Sequence, residues 1–253
     1  MKRSLLILSI LGLVLASDVA SAAPSAAQIM NKMEHKMNNF KDLTLKWTLR
    51  VKHAGKKHSM VKFKVITRPK GQRLVRMTYP GDVKGMHILV QSRSEMYIYL
   101  PAFRKVRRIA GHVRNQGFQG SGFTYDDMSI ANWSPWYHAR LAKQTAKHWY
   151  LDLRIKPGKS AAWPRLRLRI RKDIGLNDEV QYINRRGKTV KTQRFKRYKC
   201  KSDNSHCNPT LIEMVEHTRG NLVSSMTLNG KIRYNKGYSD RVFTVRYLLR
   251  SAN

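Results

Sequence analysis

The 253-residue chain is short of acid: 15 Asp and Glu stand against 50 Lys and Arg, for a formal net charge of +35. The few carboxylates offer no acid–base dyad. Asp126-Asp127 and Asp178-Glu179 are adjacent pairs, and neighbours in sequence point apart on a strand and do not share a helix face. Cysteine is scarcer still, with only Cys200 and Cys207, which excludes a cysteine-rich metal module or a disulfide scaffold. The histidines are scattered. None forms a metal-binding pair at helix or strand spacing, and there is no His-Glu-x-x-His. Gly120-Ser121-Gly122 lacks the Gly-x-Ser-x-Gly spacing of a nucleophile elbow, and no glycine-rich phosphate loop follows a strand. The chain is therefore expected to be no enzyme and to carry no cofactor and no metal.

Long apolar runs are also missing after the first residues. Met1–Ala22 reads as a secretory signal peptide: Lys2 and Arg3 open it, Leu5–Ala16 is apolar, and Ala20-Ser21-Ala22 suits cleavage. The apolar run falls short of the ~20 residues that span a bilayer, and no cysteine follows it to take a lipid anchor. Beyond it there is no spanning segment, no low-complexity linker and no fixed-period repeat. The expectation is an exported, soluble, periplasmic protein with a signal peptide over 1–22 and a single domain over 23–253, acting as a monomer. Its charge suits polyanions or an anionic membrane surface without choosing between them. A generally basic proteome would give the same excess. Export makes nucleic acid the least suitable polyanion, so none is expected as a partner.

In an oxidising compartment the close pair Cys200 and Cys207 reads as a local disulfide. Ring closure of that size contributes about 2–3 kcal/mol. His206 invites a metal alternative, which lacks a visible fourth ligand.

What the sequence has in plenty is alternation. Ser25–Phe40 is helical, with Pro24 before it, Ser25 and Gln28 forming a capping box, and Ala26, Ile29, Met30, Met33, Met37 and Phe40 on one stripe. Such a stripe is core or, being methionine-rich, an adaptable ligand surface. The period then becomes two. Leu43 to Val51, Val61 to Val65, Val75 to Tyr79, Met86 to Val90, Met96 to Leu100, Trp149 to Ile155 and Leu166 to Ile170 alternate apolar with polar residues. Further strands are expected over Val180–Asn184, Val190–Tyr198, Leu211–Thr218, Ser224–Ile232 and Arg241–Leu249, with turn signals such as Pro80-Gly81-Asp82 and Asn229-Gly230 between strands. Arg165, Arg167, Arg169 and Arg171 face outward while Leu166, Leu168 and Ile170 face inward.

The fold class is mainly β: a curved antiparallel sheet forming a half-open, incomplete β-barrel covered by helices. A sheet with one apolar face must curl or be covered. Ser25–Phe40 and a second helical region from Asp126 to about Leu141 are the expected covers. Pattern alone leaves a closed barrel or a sandwich open. By strand parity, Leu45, Trp47, Phe63, Met77, Ile88, Ile98 and Leu168 line the concave face, where they would form a ligand-binding cavity or a packed core.

The stretch Tyr97–Met128 carries the most specific pattern. Pro101 ends a strand, Arg104, Lys105, Arg107 and Arg108 crowd the next, and Gly117, Gly120 and Gly122 loosen the loop before Asp126 and Asp127. Tyr99, Leu100 and Pro101 with Arg104, Arg107 and Arg108, then Phe118, Gly120, Ser121, Phe123, Tyr125 and Asp127, together with the upstream Pro80-Gly81-Asp82-Val83-Lys84-Gly85, resemble the motifs of the LolA-like outer-membrane lipoprotein-sorting proteins. The resemblance is strongest over Val75–Met128 and points to the branch found beside RND-type exporters. Gly122 stands where that pattern has an aspartate. The resemblance implies a half-open barrel with helices over its mouth, binding of a lipid or lipoprotein acyl chain, and an RND-type exporter as partner.

Two functions follow. The first is a carrier or chaperone that shields an acyl chain in transport to the outer membrane. The alternative is a module that binds polyanions or an anionic membrane surface without an internal lipid. The basic hairpin has two corresponding readings. Its arginines are solvated or paired with Asp126 and Asp127, or they grip an anionic headgroup or an acidic partner surface.

Overall fold

The computed structural model describes residues 23–52 and 58–250, so the signal peptide expected over 1–22 lies outside it. Helix α1 (Ala26–Met37) begins as its sequence dictates. Ser25 Oγ accepts from Gln28 N at 3.2 Å, and Gln28 Oε1 accepts from Ser25 N at 2.8 Å. That reciprocal pair satisfies two of the free donors of the first turn. Ile29, Met30 and Met33 bury its inner face.

Six strands follow: β1 (Leu43–Lys52), β2 (Ser59–Thr67), β3 (Arg73–Tyr79), β4 (His87–Val90), β5 (Met96–Leu100) and β6 (Lys105–Arg108). After a long connection come β7 (Tyr137–Gln144), β8 (His148–Ile155), β9 (Arg165–Arg171), β10 (Leu176–Ile183), β11 (Thr189–Cys200), β12 (Cys207–Glu216), β13 (Leu222–Leu228) and the short β14 (Arg233–Tyr234). They make one 14-stranded antiparallel sheet in the order β6-β5-β4-β3-β2-β1-β13-β12-β11-β10-β9-β8-β7, with β14 also on β1. The two edge strands, β6 and β7, are consecutive in the chain. The connection 109–136 must therefore run from one free edge to the other, across the concave face. The sheet curls around it without closing.

Alternation places the core. On β9 Leu166, Leu168 and Ile170 are buried inside. Outside, Arg167 Nε donates to Asp152 at 2.6 Å and Arg169 Nε to Asp178 at 2.7 Å. Cys200 and Cys207 face each other across the β11–β12 hairpin and are bonded.

The sheet is buried on both faces over β4, where His87, Ile88, Leu89 and Val90 are all covered. Ile88 and Val90 belong to the concave core. Leu89 joins Ile66, Leu74, Tyr99, Phe243 and Leu248 in a second cluster on the convex side. The cover there is the C-terminal segment. Asp42 anchors its start, accepting from the backbone N–H of Lys236, Gly237 and Tyr238. Arg68 pairs with Asp240 beyond them. Burial here and the nearby Arg76 push His87 down to about 4, so it is neutral at neutral pH.

Two sequence expectations are corrected. Arg241–Leu249 is not a strand. Residues Asp240–Phe243 form a 3-10 turn and Val245–Arg250 a short helix, α2. Thr244 caps it, accepting from Tyr247 N at 3.2 Å, and Phe243, Tyr247 and Leu248 share a helical face. The region from Asp126 to about Leu141 is not a helix either. It runs through turns and then enters β7, because Tyr137, Ala139 and Leu141 alternate with His138, Arg140 and Ala142 at a period of two. The cover over the concave face is thus one helix and one irregular connection.

Candidate functional site

Under that cover lies a cavity of about 280 Å³, near the lower end of the ~300–1,000 Å³ range of small-molecule sites. Its sheet wall comes from Leu43, Leu45 and Trp47 of β1, Phe63 and Val65 of β2, Val75 of β3, and residues of β10 to β13 including Phe195 and Met226. Its other wall comes from Met37 at the end of α1, from Phe40 beyond it, and from Phe118, Phe123, Met128 and Ile130 of the connection. The lining is mostly apolar.

The walls are held together by polar contacts at the rim. Glu34 reaches from α1 to the connection, where its carboxylate accepts from the N–H groups of Trp133 and Ser134. Asn38 donates to Ala131 O at 3.3 Å and Asn132 Oδ1 at 2.8 Å. Phe118 packs edge-on against Phe63 and Tyr125, at 5.8 and 5.7 Å between centroids, a favoured aromatic geometry. Gly117 and Gly122 permit the fold of this loop. A Cβ on Gly117 would meet Ser121 O at 2.3 Å, and one on Gly122 would meet Met214 Cγ at 2.9 Å. A side chain at 122 would require Met214 of β12 to shift.

Polar groups also stand inside. Lys191 lies on the concave side of β11, with its side chain 3% exposed. Its Nζ donates to Asp127 Oδ2 and to Gly122 O, each at 3.0 Å. It also lies 4.7 Å from the Tyr182 ring centre and 5.1 Å from that of Trp163, within cation–π range. Asp127 Oδ2 accepts from Thr124 N at 2.8 Å as well, while the buried Oδ1 has no hydrogen-bond partner among the described residues. Burial and the nearby Asp127 raise the Tyr182 phenol well above its ordinary range. It stays protonated and donates to Gln193 Oε1 at 2.7 Å.

The residues singled out from sequence divide as follows. Leu45, Trp47 and Phe63 line the cavity. Met77, Ile88 and Leu168 lie in the concave core outside the cavity wall, and Ile98 is half-buried against that core. Tyr99 points the other way, into the convex cluster. Leu100 packs against the main core, and Pro101 opens a 3-10 turn. Ser121 is fully buried, its Oγ donating to Phe118 O at 2.6 Å. Gly120 turns the loop at φ 72°.

Arg104, Arg107 and Arg108 are exposed. They do not pair with Asp126 and Asp127, which pair instead with Arg93 and Lys191. Sequence reasoning missed Lys191 and Arg73, both on the concave side. The signal was present: Arg73 has the parity of Val75 and Met77, and Lys191 that of Gln193 and Phe195.

An open, curled antiparallel sheet with a helix and a crossing connection over an apolar hollow is the LolA-like architecture. Solved structures of that shape match nearly their whole length. A DUF1329 family protein from Desulfovibrio piger superposes with a TM-score of 0.79 at 21% identity, over 88% of this chain and 97% of that one. An outer membrane lipoprotein-sorting protein domain from Vibrio parahaemolyticus gives 0.78 at 19%, over 89% and 98%. A LolA superfamily protein from Nitrosomonas europaea gives 0.73 at 17%, over 89% and 100%. At such identities the likeness establishes the fold. No curated protein matches the chain. A family model described as "-like: Uncharacterized protein" matches residues 70–250, and the chain belongs to that family.

Proposed function

We propose that this protein is a periplasmic carrier or chaperone that holds the acyl chain of a lipid or lipoprotein under its lid. The proposed task is transport to the outer membrane, with an RND-type exporter as the partner. The observation that carries the reading is the apolar cavity between the curled sheet and the connection 109–136. A core that needed only stability would be filled, because interiors pack to crystal density. Binding here would shield aliphatic groups from water at about 0.8 kcal/mol for each CH₂. No helix of the described residues is long and apolar enough to cross a membrane, which suits a carrier that moves between membranes.

The test is native mass spectrometry of the purified protein, with Leu45→Trp as the cavity-filling variant. The expected result is a co-purifying acyl ligand on the native chain and at least a tenfold lower occupancy on the variant. An apo mass for the native chain, with no uptake of added palmitate, would overturn the carrier reading.

A second reading, contact with an anionic membrane surface, is favoured by the β5–β6 hairpin. Arg104, Lys105, Arg107 and Arg108 are exposed there, and Phe103 at its tip is 64% exposed. Cations beside an exposed aromatic suit the headgroup layer. Arg107→Gln with Arg108→Gln is expected to weaken binding to anionic liposomes severalfold at low salt, and little at high salt. Unchanged binding with a lowered melting temperature would make the arginines structural.

A further inference from the structure

Among the cations of this chain, Arg73 is placed in an unusual setting. It opens β3 with its side chain on the concave side, in step with Val75 and Met77, and lines the apolar cavity. Its Nη2 donates to Ile130 O at 3.0 Å. Its Nε is buried with no partner, and no carboxylate pairs with it among the described residues. Two other shielded cations have counter-charges, Lys191 in Asp127 and Arg93 in Asp126. Burial lowers Arg73 to about 10, which still leaves it charged at neutral pH. A buried charge without a counter-charge is costly. A planar guanidinium with unused donors is also the group best suited to an oxyanion.

We propose that Arg73 receives the anionic end of the cavity's ligand, so that the site selects a single acyl chain ending in a carboxylate or phosphate over an uncharged one. This rests on the carrier reading and adds to it a ligand class. The cavity is small and the arginine sits on its wall. One chain can therefore lie along Leu45, Trp47 and Phe63 while its oxyanion meets Arg73. Charge-assisted bonds in a site shielded from water are stronger than neutral ones.

The experiment titrates the protein with palmitate, hexadecanol and a lysophosphatidate, below their micelle concentrations, by isothermal calorimetry. Arg73→Gln and Arg73→Lys are titrated alongside, with their folding checked by thermal melting. The native chain is expected to bind palmitate at least tenfold more tightly than hexadecanol. Arg73→Gln should erase that preference and keep hexadecanol binding, and Arg73→Lys should restore part of it. A preference confined to palmitate assigns the site to a carboxylate, and one shared by lysophosphatidate assigns it to terminal anions in general.

Hexadecanol binding without any preference for palmitate in the native chain would overturn the role of Arg73 and leave the carrier reading standing. So would an unchanged preference in a folded Arg73→Gln. Failure of all three ligands to bind the native chain would overturn both.

Discussion

Asp127→Ala is expected to destabilise the protein by about 3–5 kcal/mol, the usual cost of leaving one partner of a buried ion pair alone. Both side chains are shielded, Lys191 at 3% and Asp127 at 7% exposure. Without Asp127, the ammonium of Lys191 keeps a single hydrogen bond, to Gly122 O, and its contacts with the Tyr182 and Trp163 rings. Thr124 N loses its acceptor as well, so the loop that walls the cavity loosens with the charge. Lys191→Met should cost a similar amount by stranding the carboxylate. The double variant should cost much less than the two singles together, because the charges leave as a pair. Urea unfolding of the four proteins measures this. Single-variant losses below 1 kcal/mol would mean that water reaches the pair.

Much of this arrangement was legible beforehand, and what was not has a common cause. Alternation located the strands, since each has one face buried and the residue period is two. The capping box fixed the start of α1, because it is a local arrangement of Ser25 and Gln28. The Cys200–Cys207 bond lies across one hairpin and is likewise local. What failed were segments whose structure is set by distant partners.

Asp126 and Asp127 were read as the start of a helix, yet they serve Arg93 and Lys191. The aromatic, irregular run around Trp133 falls inside the helical region expected from Asp126 to about Leu141, while Pro135 and the period-two pattern from Tyr137 take the chain into an edge strand. Residues 241–249, expected as a strand, are too short for periodicity to separate helix from strand. Seven concave residues were named by parity, and three of them wall the cavity. Parity tells which face a residue takes, but the position of the hollow depends on where the connection crosses the sheet.

Phe243→Ala should cost about 3–5 kcal/mol, the range for truncating a buried phenylalanine. Phe243 is 2% exposed and anchors the C-terminal segment over the convex cluster. Its ring carries the Arg68 guanidinium at 4.6 Å, and its carbonyl accepts from Gln91 Nε2 at 3.1 Å. With the ring gone, the 3-10 turn loses its plug, and Leu248 is the one buried anchor left on α2.

Leu74 and Leu89, now fully covered, would then face water near the edge strand β6, a setting that invites association. The variant is expected to melt several degrees lower, on the scale of ~2–4 °C per kcal/mol for a chain of this size. It should also bind a hydrophobic dye while still taking up palmitate, because the cavity lies on the opposite face of the sheet. Loss of dye-free behaviour together with loss of palmitate uptake would show that the two faces do not act independently. A melting temperature within one degree of the native value would show that the C-terminal segment contributes little to holding β2 to β6 in place.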